Sequence, residues 1–131
     1  QAENAMAPVA GLLGSKADIR VRYIAEVTGT TLGSVNSLHG PAEAQEDLRQ
    51  VCINEYYPGK FWAYLGAFNR DCYPNWQNGT ALAACQASSL KALGIDARKI
   101  AACGSELMAT IFSDPCIPTR CCTAPETPIP T

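Results

Sequence analysis

Apolar positions recur at helical spacing along most of this chain and alternate with polar ones over a single stretch. Residues 1–14 place Ala2, Met6, Val9, Ala10 and Leu13 at helical spacing, with Pro8 late in the run and Gly14 closing it. This predicts a mostly buried helix. Gln1 is a poor N-cap, so the helix is expected to start upstream of it. Asp18 to Val27 alternates Ile19, Val21 and Tyr23 against Arg20 and Arg22, the best strand pattern in the sequence. Thr28 to Ser37 is rich in Gly, Thr and Ser and reads as a loop.

From Pro41 the pattern is helical. Pro41 suits a first turn, and Glu43, Glu46 and Asp47 favour the N-terminal half of a helix running to about Tyr56. Ala44, Leu48, Val51 and Cys52 share one face, and Pro58-Gly59 ends the run. Phe61, Leu65, Phe68 and Cys72 then follow at i, i+4, i+7 and i+11, with Trp62 and Tyr64 beside them. Asp71 to Thr80 is a turn-rich loop. A third bundle helix is expected from about Ala81 to Leu93, with Leu82, Cys85 and Leu93 inward and Gly94 as its stop. Asp96 is a fitting cap for a fourth, with Ile95 and Ile100 bridging across it, ending at Cys103-Gly104. A fifth short helix spans Ser105 to Phe112. Five prolines from Pro115 onward rule out regular structure there, and residues 123–131 read as a Pro/Thr-rich tail open to O-glycosylation.

The length, 131 residues, indicates one domain with enough chain to bury a core. Lys and Arg total 10 against 12 Asp and Glu, for a net charge of −2, and no basic stripe is present. That argues against nucleic acid or an anionic membrane as the main partner. No apolar run approaches the roughly 18 residues of a transmembrane helix, and no signal-peptide pattern remains.

Seven cysteines change the picture more than charge does. They show no Cys-x-x-Cys pair, and the single His39 is remote in sequence, so neither a structural metal nor a cofactor is expected. Disulfides in a secreted, extracellular or periplasmic setting are the better reading. Four cysteines, Cys52, Cys72, Cys85 and Cys103, fall on or beside bundle helices and allow three connectivities. Cys72 and Cys85 flank one loop between antiparallel helices, which favours that pair and leaves Cys52 to tie the first bundle helix to the last through Cys103. Cys116 then pairs locally with Cys121 or Cys122. Taking Cys121, the odd count leaves Cys122 free or shared between chains. Arg120 beside Cys121 and Cys122 makes this cluster the candidate for a reactive thiol. Asn78-Gly79-Thr80 is a candidate glycosylation acceptor.

Four stretches, VRYIAEV, SLHGPAEAQEDLRQVCI, KFWAYLGAFNRDC and LGIDARKIAAC, resemble secreted DsbA-like thioredoxin-fold proteins of archaea and bacteria that carry a helical insertion. The insertion is also similar to the luminal domain of plant vacuolar sorting receptors. The resemblance covers roughly residues 1–104, with gaps. It implies an α/β, thioredoxin-like domain over residues 1–122, with an incomplete sheet and a disulfide-stapled helical insertion at about 41–104. The alternative is a mainly α, disulfide-rich domain.

The family's Cys-Pro-x-x type motif sits at the N-terminus of the first helix, where the dipole lowers a thiol pKa. Here Gln1-Ala2-Glu3-Asn4 begins where that motif would just have ended, and no cysteine precedes Cys52. Nor is there room around Gly104 for the strand and hairpin that close such a fold. The resemblance therefore implies sequence before Gln1 and around Gly104, or strands supplied by another chain.

Two functions follow. One is a thiol–disulfide oxidoreductase whose catalytic motif lies outside this sequence. The other is a non-catalytic, disulfide-hardened accessory subunit with protein partners, including through an intermolecular disulfide. Other enzyme classes find little support. His39 has no nearby nucleophile in sequence, the acidic residues are scattered as on a solvated surface, and no phosphate-binding glycine loop is present. The aromatic cluster of Tyr56, Tyr57, Phe61, Trp62 and Tyr64 reads as bundle core before it reads as a peptide groove.

Overall fold

The structure, a computed structural model, describes residues 2–29 and 31–113. Cys116, Cys121, Cys122 and the 123–131 tail lie outside these residues. The fold is mostly helical: α1 (Ala2–Leu13), β1 (Ala25–Val27), β2 (Val35–Ser37), α2 (Pro41–Tyr56), α3 (Phe61–Ala67), α4 (Gly79–Ala92) and α5 (Ala97–Ser113). The core lies among the last four helices. Cys52 and Ile53 of α2, Phe61, Tyr64 and Leu65 of α3, Leu82 and Leu90 of α4, and Ile100 and Cys103 of α5 are all buried together.

Two disulfides fasten this bundle. Cys52 is joined to Cys103 with a Cα separation of 5.9 Å, and Cys72 to Cys85 at 5.4 Å. The first ties α2 to α5. The second closes the α3–α4 connection.

Local chemistry explains most boundaries. Gly40, at φ 97°, precedes Pro41 at the first position of α2. The last turn of α3 widens into a π-helical turn over Phe68–Cys72 and tightens again over Tyr73–Asn75. The side chain of Asn78 caps α4 by accepting a hydrogen bond from the Ala81 amide at 3.2 Å. At the other end, the Gly94 amide donates to the Lys91 carbonyl and the Ile95 amide to the Leu90 carbonyl, at 3.1 and 2.9 Å. This pair of hydrogen bonds with Gly94 at φ 66° is a Schellman stop, and Leu90 and Ile95 are both buried over it. Asp96 then accepts from the amides of Arg98 and Lys99 to open α5.

Several expectations are corrected. The strand expected over Asp18–Val27 forms ladder bonds only at Ala25–Val27. Its partner is β2, antiparallel with Ala25 opposite Ser37 and Val27 opposite Val35, within the stretch expected to be loop. The intervening turn is closed by the Thr28 amide donating to the Ser34 carbonyl and the Ser34 amide to the Thr31 carbonyl, at 3.0 and 2.9 Å, with side chains reinforcing both. Ser34 Oγ donates to the Thr31 carbonyl at 2.6 Å, and Thr28 Oγ1 donates to the Ser34 carbonyl at 3.2 Å.

Helix α1 forms, but none of its residues is buried. Leu12 is 87% exposed, because the helix packs mainly on α3 and no sheet covers it among the described residues. The expected fourth and fifth helices are one: α5 runs unbroken through Gly104, whose missing Cβ would meet only the Leu48 side chain at ordinary contact distance. Val51 is exposed rather than inward, and Glu46 and Gln50 take the buried face of α2 instead.

Candidate functional site

Helix α2 carries Glu43, Glu46, Asp47 and Gln50 at i, i+3, i+4 and i+7, which places them on one face. Glu46 lies at the centre of the bundle, only 4% exposed. Its Oε2 accepts hydrogen bonds from Arg49 Nη1 at 2.6 Å, Gln86 Nε2 at 2.8 Å and Tyr64 Oη at 3.4 Å, and its Oε1 from Gln50 Nε2 at 2.9 Å. Gln50 in turn accepts from the Tyr23 hydroxyl at 2.8 Å, which ties residues 17–24 to α2 while Val21 packs against the core. Burial raises the Glu46 carboxyl above its ordinary range, against the pull of Arg49 and the donated bonds. Burial and the neighbouring carboxylates likewise push the Tyr23 hydroxyl up. Among the described residues, no buried side-chain polar atom lacks a partner.

Beside this network, at the N-terminal turn of α1, lies a cavity of about 140 Å³. Glu3, Glu43 and Asp47 form an acidic wall, and Phe68, Tyr73 and Trp76 an aromatic one. The π-helical turn holds the first turn of α1 in place. Asn69 Nδ2 donates to Glu3 Oε2 at 2.8 Å and to Asn4 Oδ1 at 3.2 Å. Such turns are common at functional sites because they re-aim side chains out of helical register.

Burial pushes the Asp47 carboxyl up to about 6. The Ser37 hydroxyl, 3.2 Å away, opposes the shift, while the nearby Glu43, Glu46 and Glu3 reinforce it. Glu43 differs. Burial works to raise it, but His39 donates its backbone N–H at 2.7 Å and places Nδ1 at 2.9 Å, and together these hold it below the usual carboxylate range. His39 also stands edge-on to Trp76, with ring centroids 6.3 Å apart. The pocket therefore offers a carboxyl raised to about 6 by burial and a carboxylate–imidazole pair, set against a flat apolar wall. It has room for a side-chain-sized group, since water takes about 30 Å³ per molecule in the liquid, and its chemistry favours a cation or hydrogen-bond donor.

The sites expected from sequence fall elsewhere. All four described cysteines are in disulfides, with Cys52 and Cys72 fully buried. Cys116, Cys121 and Cys122 lie outside the described residues. Asn78 is exposed at the start of α4. Of the aromatic cluster, Phe61 and Tyr64 are core, Trp62 and Tyr57 pack against it, and Lys99 lies over the rings of Tyr56 and Tyr57 at 4.5 and 5.4 Å. It forms no groove with the cavity.

The acidic residues of α2, which looked scattered in sequence, are the ones that converge. The signal was present: Glu46, Gln50 and Ile53 share one stripe, and polar residues in line with a core isoleucine must find partners. Tyr73 and Trp76 carried no such signal.

A wider groove of about 490 Å³ runs between α2, α4 and α5, lined by Leu48, Ala83, Ala87, Ala101 and Met108. Among the described residues, no group of His, Cys, Asp or Glu is arranged to hold a metal ion. No described helix is long and apolar enough to cross a membrane. Comparison with protein families, with curated proteins and with solved structures finds no match to this chain.

Proposed function

We propose that this chain belongs to a secreted, thioredoxin-like protein of the thiol–disulfide oxidoreductase type. In this reading the disulfide-stapled helices form a rigid cap over the N-terminal end of α1, where the DsbA-like resemblance locates the reactive thiol. The observation that carries the proposal is the condition of residues 2–24. An apolar helix exposes Met6, Val9, Leu12 and Leu13. A segment follows that opens with extended backbone at Ala17 and alternates half-buried Ile19, Val21 and Tyr23 with exposed Arg20, Arg22 and Ile24. Among the described residues it has no strand partner. A helix and an alternating segment of this kind form a unit suited to a larger sheet, since an unpaired strand leaves its backbone groups unsatisfied.

The acidic, aromatic pocket adjoins Glu3 in the first turn of that same helix, where it would meet a peptide substrate. The test is to sequence the gene upstream of the Gln1 codon and to assay its full product for reduction of insulin disulfides. A cysteine motif within a few residues of Gln1 and measurable turnover are expected. Other residues there, with no turnover, would overturn the reading.

A second reading rests on the cysteines themselves. All four described ones are bonded, which suits a non-catalytic, disulfide-hardened accessory subunit of an extracellular or periplasmic assembly. It is supported if the native protein doubles in mass on a non-reducing gel and exchanges no disulfides. A monomeric, active reductase rejects it.

A further inference from the structure

The connection from α3 runs into the start of α4 through Trp76-Gln77-Asn78-Gly79-Thr80, and every one of these residues except the half-buried Trp76 is exposed. The Asn78 carboxamide is used on one side only. Its Oδ1 caps α4 by accepting from the Ala81 amide at 3.2 Å. Its Nδ2 meets no acceptor among the described residues, and Thr80, the second residue of the helix, is open to solvent. The Cys72–Cys85 disulfide brackets the segment and marks an oxidising compartment. Asn followed by a non-proline residue and then Thr is the acceptor pattern used in such compartments.

We infer that Asn78 is an N-glycosylation site, the donor being a glycan linked through phosphate to a membrane lipid. In the transfer, a bond forms between Nδ2 and the anomeric carbon of the first sugar, and the bond from that carbon to the lipid phosphate oxygen breaks. The lipid phosphate departs with the electron pair, and one amide proton passes to a base of the transferase. No oxidant or reductant is needed.

The folded protein accommodates the product. A sugar on Nδ2 leaves Oδ1 free to cap α4, so the modified residue keeps its structural role. The glycan stands beside Trp76, the edge of the acidic pocket, and bars bulky partners from that side without filling the cavity.

The geometry also supplies a clean test. Thr80→Ala destroys the acceptor pattern and leaves the Asn78 cap intact, whereas Thr80→Ser preserves both. The chain and these variants, with Asn78→Asp as a capping control, are secreted from a host that performs N-glycosylation. Intact mass and the tryptic peptide between Arg70 and Lys91 are then read before and after N-glycosidase. The wild type and Thr80→Ser are expected to carry glycan at position 78, removed by the enzyme. Thr80→Ala and Asn78→Asp are expected to carry none while keeping both disulfides. An unmodified peptide in the folded, disulfide-bonded wild type overturns the inference, as does a glycan that survives in Thr80→Ala. O-linked sugars on the Pro/Thr tail leave the peptide unshifted and are read separately. The result is independent of whether the full protein reduces disulfides.

Discussion

Glu46 occupies a position where the packing around it calls for an apolar side chain, and four donors converge on it instead. Glu46→Ala leaves the buried Gln50, Gln86 and Tyr64 without their acceptor and the partly exposed Arg49 without its carboxylate. Removing one partner of a fully buried ion pair costs about 3–5 kcal/mol, and the exposure of Arg49 places this loss at the low end, about 3 kcal/mol. The variant should show that loss in urea titration, and Glu46→Gln, which keeps the shape and an acceptor, should lose less. Asp47 behaves differently, because burial raises it rather than a partner lowering it. A carboxyl whose folded-state pKa lies above its unfolded value holds its proton longer in the folded state. Stability therefore falls as pH rises from the ordinary 3.8 toward about 6. Because Asp47 is only half-buried, solvent screening reduces this contribution to about 1 kcal/mol. Asp47→Asn should flatten the dependence, read as a smaller difference in urea midpoint between pH about 4 and about 7. A steeper slope in the variant would contradict the assignment. The Asp47 shift was not legible in the sequence, since the neighbours of Asp47 come from α1, β2 and α2 and meet only after folding.

Individual helices were far more legible than the contacts between them. The end of α4 at Gly94, the Asp96 cap and the Ile95–Ile100 pair across it could all be read from local residue types, because caps and stops act within a turn or two of sequence. Asp96→Ala should cost about 1 kcal/mol of stability, seen as a lowered thermal midpoint. The continuity of α5 was not legible. Gly104 reads as a stop, but its position in the structure is fixed by the packing of α5 on α2 beside the Cys52–Cys103 bond. A glycine inside a helix with ordinary contact space is a weak point, and Gly104→Ala should stabilise by about 0.5–1 kcal/mol. A destabilised variant would mean that the Leu48 side chain cannot give way. The hairpin was missed for another reason. Three-residue strands carry too little alternation to detect, and a longer Thr/Ser turn, bonded through both backbone and side chains, closes it in place of a Gly-rich dipeptide.

Across the whole molecule the two staples divide the work unequally. In the chain-entropy picture, a bond spanning 51 residues restrains the unfolded chain by roughly 4 kcal/mol and one spanning 13 by roughly 3. Replacing both Cys52 and Cys103 with Ala should therefore cost more than replacing Cys72 and Cys85, measured by thermal unfolding. Alkylation of the native, unreduced protein should label none of the four. The helical bundle and its cysteine-rich character were visible from spacing and composition. The fate of the N-terminal helix and the alternating segment was not, because both depend on what packs against them.

The two bonds are also nested: the Cys72–Cys85 ring lies wholly within the span from Cys52 to Cys103. A protease that cuts the exposed Gln77–Gly79 turn makes two pieces that both bonds still hold together. A single cut between the rings, at the Tyr56–Gly59 break or beside Gly94, leaves its two pieces joined by the outer bond. Protein nicked once at any of these places should therefore migrate as a single species until it is reduced, and the core of the molecule can lose its chain continuity at one point without losing its parts.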